Sequence, residues 1–271
     1  MSAPSLLVVV AHPDDETFGC GSLLLHAAAK DWQLSVCCAT RGEAGEPHPA
    51  SGVTQAQLPV ARERELRDAA RFLGVGQVSV LDYRDSGMAG PPEVGSLVAA
   101  ALDEVTARVQ AEIERLRPQV VVTLDGSDGH RDHVHVRDAT IRAVERASWE
   151  VERLYLHCLP RSLLQRWADH RRTIDPDSPY LDVEEAALGT PDERITTTID
   201  TARFLDRRWQ AITLHASQRS PYDDLPADLA GAFLTTEHLV QLRPPVQDGG
   251  LTSDPFATPG GRASDTRTDV R

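Results

Sequence analysis

Two short stretches concentrate the side chains that could do chemistry. The first is His12-Pro13-Asp14-Asp15-Glu16, one imidazole and three carboxylates placed directly after the apolar run Leu6–Ala11. The second is Asp125-Gly126-Ser127-Asp128-Gly129-His130-Arg131-Asp132-His133-Val134-His135, about 115 residues further on and directly after another apolar run, Val120–Leu124. Imidazole together with carboxylate is a donor set for zinc, and two histidines with one carboxylate and a free fourth position make a catalytic zinc arrangement. Oxygen-only sites for Mg²⁺ or Ca²⁺ would not need the histidines. His12 and Asp15 stand three apart at a helix entry and can face one way, which leaves Asp14 pointing elsewhere, free to act on a metal's water as general base. His130 and His133 have the same spacing, so either could bring a further ligand. A charged histidine beside such a site could stabilise an oxyanion and later protonate a leaving amine.

Blander readings account for less. Three carboxylates at a helix start would complement the helix dipole, and Pro13 suits a first helical turn. Capping does not call for His12, however. A solvated loop would leave three histidines within six residues unexplained. His26, His48, His157, His170 and His238 carry no such pattern and are read as surface or core histidines.

The surrounding elements decide whether the two stretches can meet. Residues 5–11 read as a strand buried on both faces, residues 18–30 as a helix and residues 33–40 as a second strand, which is a βαβ unit and therefore a parallel pair. The pattern continues with a loop at 41–58, a helix at 60–73 closed by Gly74, a strand at 78–81, a helical segment at 94–116, a strand at 120–124 and a helix at 136–147. A strand at 154–159, a helix or turn at 161–169, a proline-broken polar stretch at 170–193, a strand at 195–199 and a helix at 201–217 follow; 225–236 and 237–242 are less regular. The expectation is an α/β fold: a Rossmann-like, mostly parallel sheet with helices on both faces, plus a smaller C-terminal α/β portion. Residues 1–245 are expected to form one domain and 246–271, rich in Pro, Gly, Asp and Thr, a tail disordered on its own. Ligands of an open parallel sheet sit beyond the carboxyl ends of its strands, where both clusters fall.

Composition narrows the partners. The formal charge of -13 would repel phosphate backbones and anionic lipid, so neither nucleic acid nor a membrane is expected. No run is long enough for a membrane span, and no cationic leader precedes Leu6, so the cytoplasm is the expected location. Cys20, Cys37, Cys38 and Cys158 form no C-x-x-C pair and read as reduced core thiols. The first strand is followed by His-Pro-Asp-Asp-Glu and not by G-x-G-x-x-G, which argues against a dinucleotide binder. A homo-oligomer is left open.

At these residues the chain resembles the PIG-L, or LmbE-like, family of zinc-dependent de-N-acetylases. Ala11–Glu16 reads the family's A-H-P-D-D-E motif in full, and His130-Arg131-Asp132-His133 matches its H-P-D-H with Arg131 in place of proline. Thr40–Gly45 resembles the T-x-G-E-x-G turn, Arg62–Leu66 the R-x-x-E-L helix, and His215–Gln218 a late H-x-[ST]-Q. The resemblance implies that His12, Asp15 and His133 bind Zn²⁺ (or another divalent metal such as Fe²⁺). It makes Asp14 the general base, His130 an oxyanion or amine partner with Asp132 orienting it, and Arg62 a contact to the substrate sugar. Tyr83–Met88 looks like the branch acting on mycothiol precursors and conjugates, which makes Asp85 a candidate hydroxyl contact; Asp128 stands where that branch has a tyrosine. The implied activity is removal of an N-acetyl group from an N-acetylglucosamine-type sugar in a small metabolite or glycoconjugate. An amidase for a mycothiol-type thiol conjugate, a tailoring deacetylase for an aminoglycoside or glycopeptide, and a non-catalytic metal-binding or regulatory protein of the same fold are the alternatives.

Overall fold

The structure, a computed structural model, describes residues 3–176, 181, 188–246, 250–252 and 254–256. Among these residues seven strands form one sheet in the order β3-β2-β1-β4-β5-β7-β6. The strands are β1 (Ser5–Val10), β2 (Gln33–Thr40), β3 (Gln77–Tyr83), β4 (Val120–Leu124), β5 (Arg153–Cys158), β6 (Thr197–Asp200) and β7 (Thr236–Arg243). β1 to β5 run parallel; β7 lies antiparallel between β5 and β6. The helices are α1 (Asp15–Phe18), α2 (Gly21–Ala28), α3 (Leu58–Leu73), α4 (Leu102–Leu116), α5 (Arg131–Arg146), α6 (Arg161–Ile174), α7 (Leu205–Ile212) and α8 (Ala227–Leu234).

The unbroken apolar run of β1 has a direct physical reason. Successive side chains of a strand point to opposite faces. Leu6, Val8 and Val10 enter the core beneath α2, α3 and α7, with Leu23, Leu24, Leu66 and Ala211. Leu7, Val9 and Ala11 enter the core beneath α4 and α5, with Val105, Val109, Val136 and Ala139. A polar residue anywhere from Leu6 to Val10 would therefore be buried on one side or the other. A third cluster joins α6, α7 and α8 through Leu164, Ile212 and Phe233. Thus the expected C-terminal α/β portion is a continuation of the same sheet.

A buried ion pair ties the helices of this core to the sheet. Arg208 of α7 is 1% exposed, donates to Glu237 at 2.5 Å and to the Phe18 and Gly19 carbonyls, and so anchors the α1–α2 junction to β7. Removing one member of such a buried ion pair typically costs about 3–5 kcal/mol.

Several expectations change in detail. The single helix expected over 18–30 is two helices meeting at Gly19-Cys20. The helix expected from Val94 starts only at Leu102. Gly95 has φ 83, Arg84 N–H donates to the Gly95 carbonyl and Leu97 N–H to the Arg84 carbonyl, so this stretch pairs with the end of β3 instead of coiling. The helix expected from Val136 starts at Arg131, capped by His130 Nδ1 accepting from Asp132 N–H at 3.2 Å. His133 and His135 therefore stand on a helix and not in a loop. The helix expected over 201–217 ends at Ile212, and the turn that follows carries His215 into the core.

Beyond the expected boundary at 245, residues 250–252 and 254–256 have a described place. Phe256 is fully buried against Trp32 and His26, His26 Nε2 and Asp254 stand 2.7 Å apart, and Thr252 N–H donates to the Thr196 carbonyl. The buried Phe256 ring and the half-buried Asp254 carboxylate hold this stretch against α2. Residues 247–249, 253 and 257–271 of the expected tail, and 177–180 and 182–187 of the proline-broken stretch at 170–193, lie outside the described residues.

Candidate metal centre and active site

β1 and β4 are neighbours, and the chain leaves them in opposite lateral directions, β1 toward β2 and β4 toward β5. The gap beyond their carboxyl ends is the switch point of an open α/β sheet, where ligands bind. His12 follows β1, and His130 and His133 follow β4, so the two polar stretches meet there.

Three donor atoms converge. His12 Nδ1 lies 3.3 Å from His133 Nε2, His133 Nε2 lies 3.3 Å from Asp15 Oδ2, and Asp15 Oδ2 lies 3.6 Å from His12 Nδ1. Ligands held at 2.0–2.1 Å in a tetrahedron are separated by about 3.4 Å. The triangle is therefore of the size that one zinc ion would span. Asp15 Oδ2 also accepts from the backbone N–H groups of Ala11 and His12, which fixes its direction.

The outer partners set the tautomers. Asp132 Oδ2 stands 3.1 Å from His12 Nε2, and Asp128 Oδ2 stands 2.6 Å from His133 Nδ1. A carboxylate accepts only, so each outer carboxylate takes an N–H of its imidazole, and a cation in the triangle would meet the lone pair of the other ring nitrogen. Burial alone would lower the His133 pKa, but Asp128 and Asp15 overcome that and raise it to about 10. The same competition holds His12 well above the ordinary range, with Asp132, Asp15 and Asp85 overcoming burial. The triangle is thus arranged to hold positive charge.

His130 is the third imidazole, its ring 4.5 Å from that of His12. It offers a ring nitrogen to a possible metal-holding group with His12 and His133; Asp85 and Asp132 form a second such group around His12. His135 belongs to neither. Burial, then the charges of His12 and His133, lower the His130 pKa to about 4, so the ring is neutral. Because its Nδ1 accepts from Asp132 N–H, its proton sits on Nε2.

Asp14 stands beside the triangle but outside it. Its φ of 113° is the left-handed region, unusual for a residue with a Cβ. Its carboxylate accepts from Arg62 Nη2 at 2.8 Å, and its N–H donates to Glu16 Oε2. Burial raises its pKa to about 6, a shift that Asp15 reinforces and that Arg62, His215 and His12 oppose.

The lesser motifs converge on this loop. Thr40 Oγ1 donates to the Ala11 carbonyl, and Arg62 donates to the carbonyls of Gly42 and Pro13 as well as to Asp14. Gly42 has to be glycine: at φ 65 a Cβ there would come within 2.0 Å of the Arg62 guanidinium. Glu65, one turn along from Arg62, accepts from Ser217 N–H and Oγ, and His215 Nε2 meets Glu16 Oε1 at 2.8 Å.

Each residue singled out in the sequence has a place. His12, Asp15 and His133 form the triangle, with Asp14 and His130 beside it. Asp132 orients His12, where the resemblance implied His130. Arg62 is buried and engaged with the loop itself, and Asp85 turns its Oδ1 toward His12 Nε2 at 3.5 Å while accepting from Gly87 N–H. Sequence reasoning gave no role to Asp128, Glu16 or His215. Asp128 stood out as a departure from the mycothiol branch, but its partner five residues on became visible only in the fold. The four cysteines are unpaired and buried, as expected.

Comparison with known proteins supplies the class. Residues 7–144 match the family model described as PIG-L, GlcNAc-PI de-N-acetylase. The chain belongs to the PIG-L family and is a metal-dependent hydrolase of the amide bond. Among its relatives is the 1D-myo-inositol 2-acetamido-2-deoxy-alpha-D-glucopyranoside deacetylase of Rhodococcus jostii, 36% identical over 90% of this chain and 93% of that protein. The protein of the same name from Geodermatophilus obscurus is 34% identical over 86% of this chain and 90% of that one. Solved structures share the fold at lower identity. An N,N'-diacetylchitobiose deacetylase from Pyrococcus horikoshii aligns with a TM-score of 0.57 at 17% identity, over 92% of this chain and 85% of its own. A 4-carboxy-2-hydroxymuconate hydratase from Pseudomonas putida KT2440 aligns with a TM-score of 0.60 at 19% identity, over 90% and 98%. Since proteins named as a hydratase and as a deacetylase share it, the fold alone does not settle an activity.

Proposed function

We propose that the chain hydrolyses the acetamide of an N-acetylglucosaminyl inositol, the substrate class in the names of its relatives, using zinc held by His12, Asp15 and His133. The carrying observation is the convergence of three donor atoms at tetrahedral spacing, with both imidazole tautomers set by carboxylates behind them. Bound zinc would lower the pKa of water and polarise the acetamide carbonyl. The protein's own groups do the rest. Asp14, held by Arg62 next to the donor triangle but not in it, takes the proton from the attacking water. His130, neutral with its proton on Nε2, donates a hydrogen bond to the oxygen that becomes negative in the tetrahedral adduct. Collapse of that adduct breaks the C–N bond, and the proton passes to the amine, leaving acetate and the free amino sugar.

The relatives named above are deacetylases, which favours a sugar acetamide over the amide of a thiol conjugate and over a non-catalytic protein. The test is acetate release from 1D-myo-inositol 2-acetamido-2-deoxy-alpha-D-glucopyranoside by chelated and by zinc-reconstituted protein. Zinc-dependent release is expected. No release by the reconstituted protein would overturn the substrate assignment.

A further inference from the structure

Arg131 occupies the proline position of H-P-D-H, and the structure gives it work that proline cannot do. It is the first residue of α5, immediately before Asp132 and His133. Its guanidinium gathers backbone carbonyls from one loop: Nε donates to Gly87 at 2.8 Å, Nη1 to Gly90 at 2.7 Å, and Nη2 to Ser86 and to Ala89. A guanidinium has five N–H donors. Four of them are occupied by the loop, so Arg131 is poorly placed to serve as a receptor for an anionic substrate group.

The loop so gathered is a rim of the site. Asp85, just before it, faces His12. Ser86 N–H donates to Asp132 Oδ2 at 2.9 Å, the same oxygen that faces His12 Nε2, and Ser86 Oγ accepts from Val98 N–H. On its other side the loop meets the 41–47 turn, since a Cβ on Gly87 would sit 3.8 Å from the Ala44 Cβ. The sequence of the loop, Ser86-Gly87-Met88-Ala89-Gly90, has no large side chain to pack except Met88, which is 36% exposed. Two glycines at positive φ leave this backbone with little conformational preference of its own. Its shape therefore has to be imposed from outside, and Arg131 is the group that touches four of its five residues.

We propose that Arg131 is a positioning residue that fixes the 86–90 loop as a rim of the substrate pocket and thereby sets substrate affinity; its kinetic part rests on the function proposed above. Asp132 and His133 on the same helical turn hold the metal side, so one turn of α5 aligns the loop with the metal centre.

The variants are Arg131→Pro and Arg131→Met, with Arg131→Lys as the conservative control. Proline is well tolerated at the first position of a helix, so Arg131→Pro removes the guanidinium while leaving α5 able to form. Three readouts are taken on the full chain. Amide hydrogen exchange over 86–90 should accelerate at least tenfold in Arg131→Pro and Arg131→Met, with partial protection retained by Arg131→Lys. Zinc affinity should stay within threefold of the parent. KM for the amino sugar should rise about tenfold, with kcat within threefold. Unchanged exchange over 86–90 in both Arg131→Pro and Arg131→Met would overturn the proposal. So would a fall in kcat with KM unchanged, which would place Arg131 in the chemistry and not in the rim. If the parent releases no acetate, the function proposed above fails, and the exchange arm still decides whether Arg131 fixes the loop.

Discussion

Replacing Asp128 by alanine isolates what a carboxylate behind a metal ligand contributes. Asp128 Oδ2 lies 2.6 Å from His133 Nδ1, a charge-assisted contact, and Asp128 Oδ1 accepts from His130 N–H. Without it, His133 loses the group that keeps its proton on Nδ1 and its lone pair in the triangle. Loss of such an outer partner commonly costs 10–100-fold in metal affinity, or about 1.4–2.7 kcal/mol. Asp128→Ala should fall in that range. Asp128→Asn keeps an acceptor oxygen but not the charge, and should lose roughly tenfold, at the low end of it. The assay is competition for zinc against a chromophoric chelator at fixed pH, with unfolding midpoints measured in parallel to confirm an intact fold. Zinc affinity for Asp128→Ala within twofold of the parent would refute the reasoning, because the tautomer would then be set by something other than Asp128.

Two further outcomes follow from groups at different depths in the structure. Asp14→Asn should bind zinc like the parent, since Asp14 is no part of the donor triangle, yet lose about 10²–10⁴-fold in kcat as expected for a missing general base; parallel loss of zinc would move Asp14 into the coordination set. Burial alone would raise the Asp254 pKa, but His26 and Lys30 overcome it and hold the carboxyl well below the ordinary range. A depressed folded-state pKa stabilises the fold above the unfolded value, about 3.9, and that stability is lost as pH falls through the folded value. Urea unfolding should therefore show a stability gap between the parent and Asp254→Asn that narrows as pH falls below about 4. A gap that stays constant down to pH 2 would contradict the ion-pair account.

How much of this was legible in the sequence differs from residue to residue. β1 was readable because a strand buried on both faces leaves a continuous apolar run, and the loop after it because a helix start that only needs a cap favours Ser, Thr, Asp or Asn over an imidazole. The meeting of the two clusters was readable only as a shared sheet edge; the lateral adjacency of β1 and β4 is a property of the strand order. The start of α5 was misread because Asp128-Gly129-His130 looks like loop, while the cap that starts the helix is an imidazole accepting from Asp132 N–H. Asp128 was marked as a departure, yet its contact with His133 depends on a turn in which Gly126 and Gly129 both have positive φ. The docking of Phe256 was not legible either, since one aromatic residue among Pro, Gly, Asp and Thr does not announce a burial site.

The backbone of Asp14 carries an energetic consequence. A residue with a Cβ at φ 113° holds strain on the order of 1–3 kcal/mol that glycine would not feel. Asp14→Gly would relieve that strain but leave the buried Arg62 guanidinium without its carboxylate, a loss larger than the strain removed, so the Arg62 ion pair is what lets aspartate persist at this strained position.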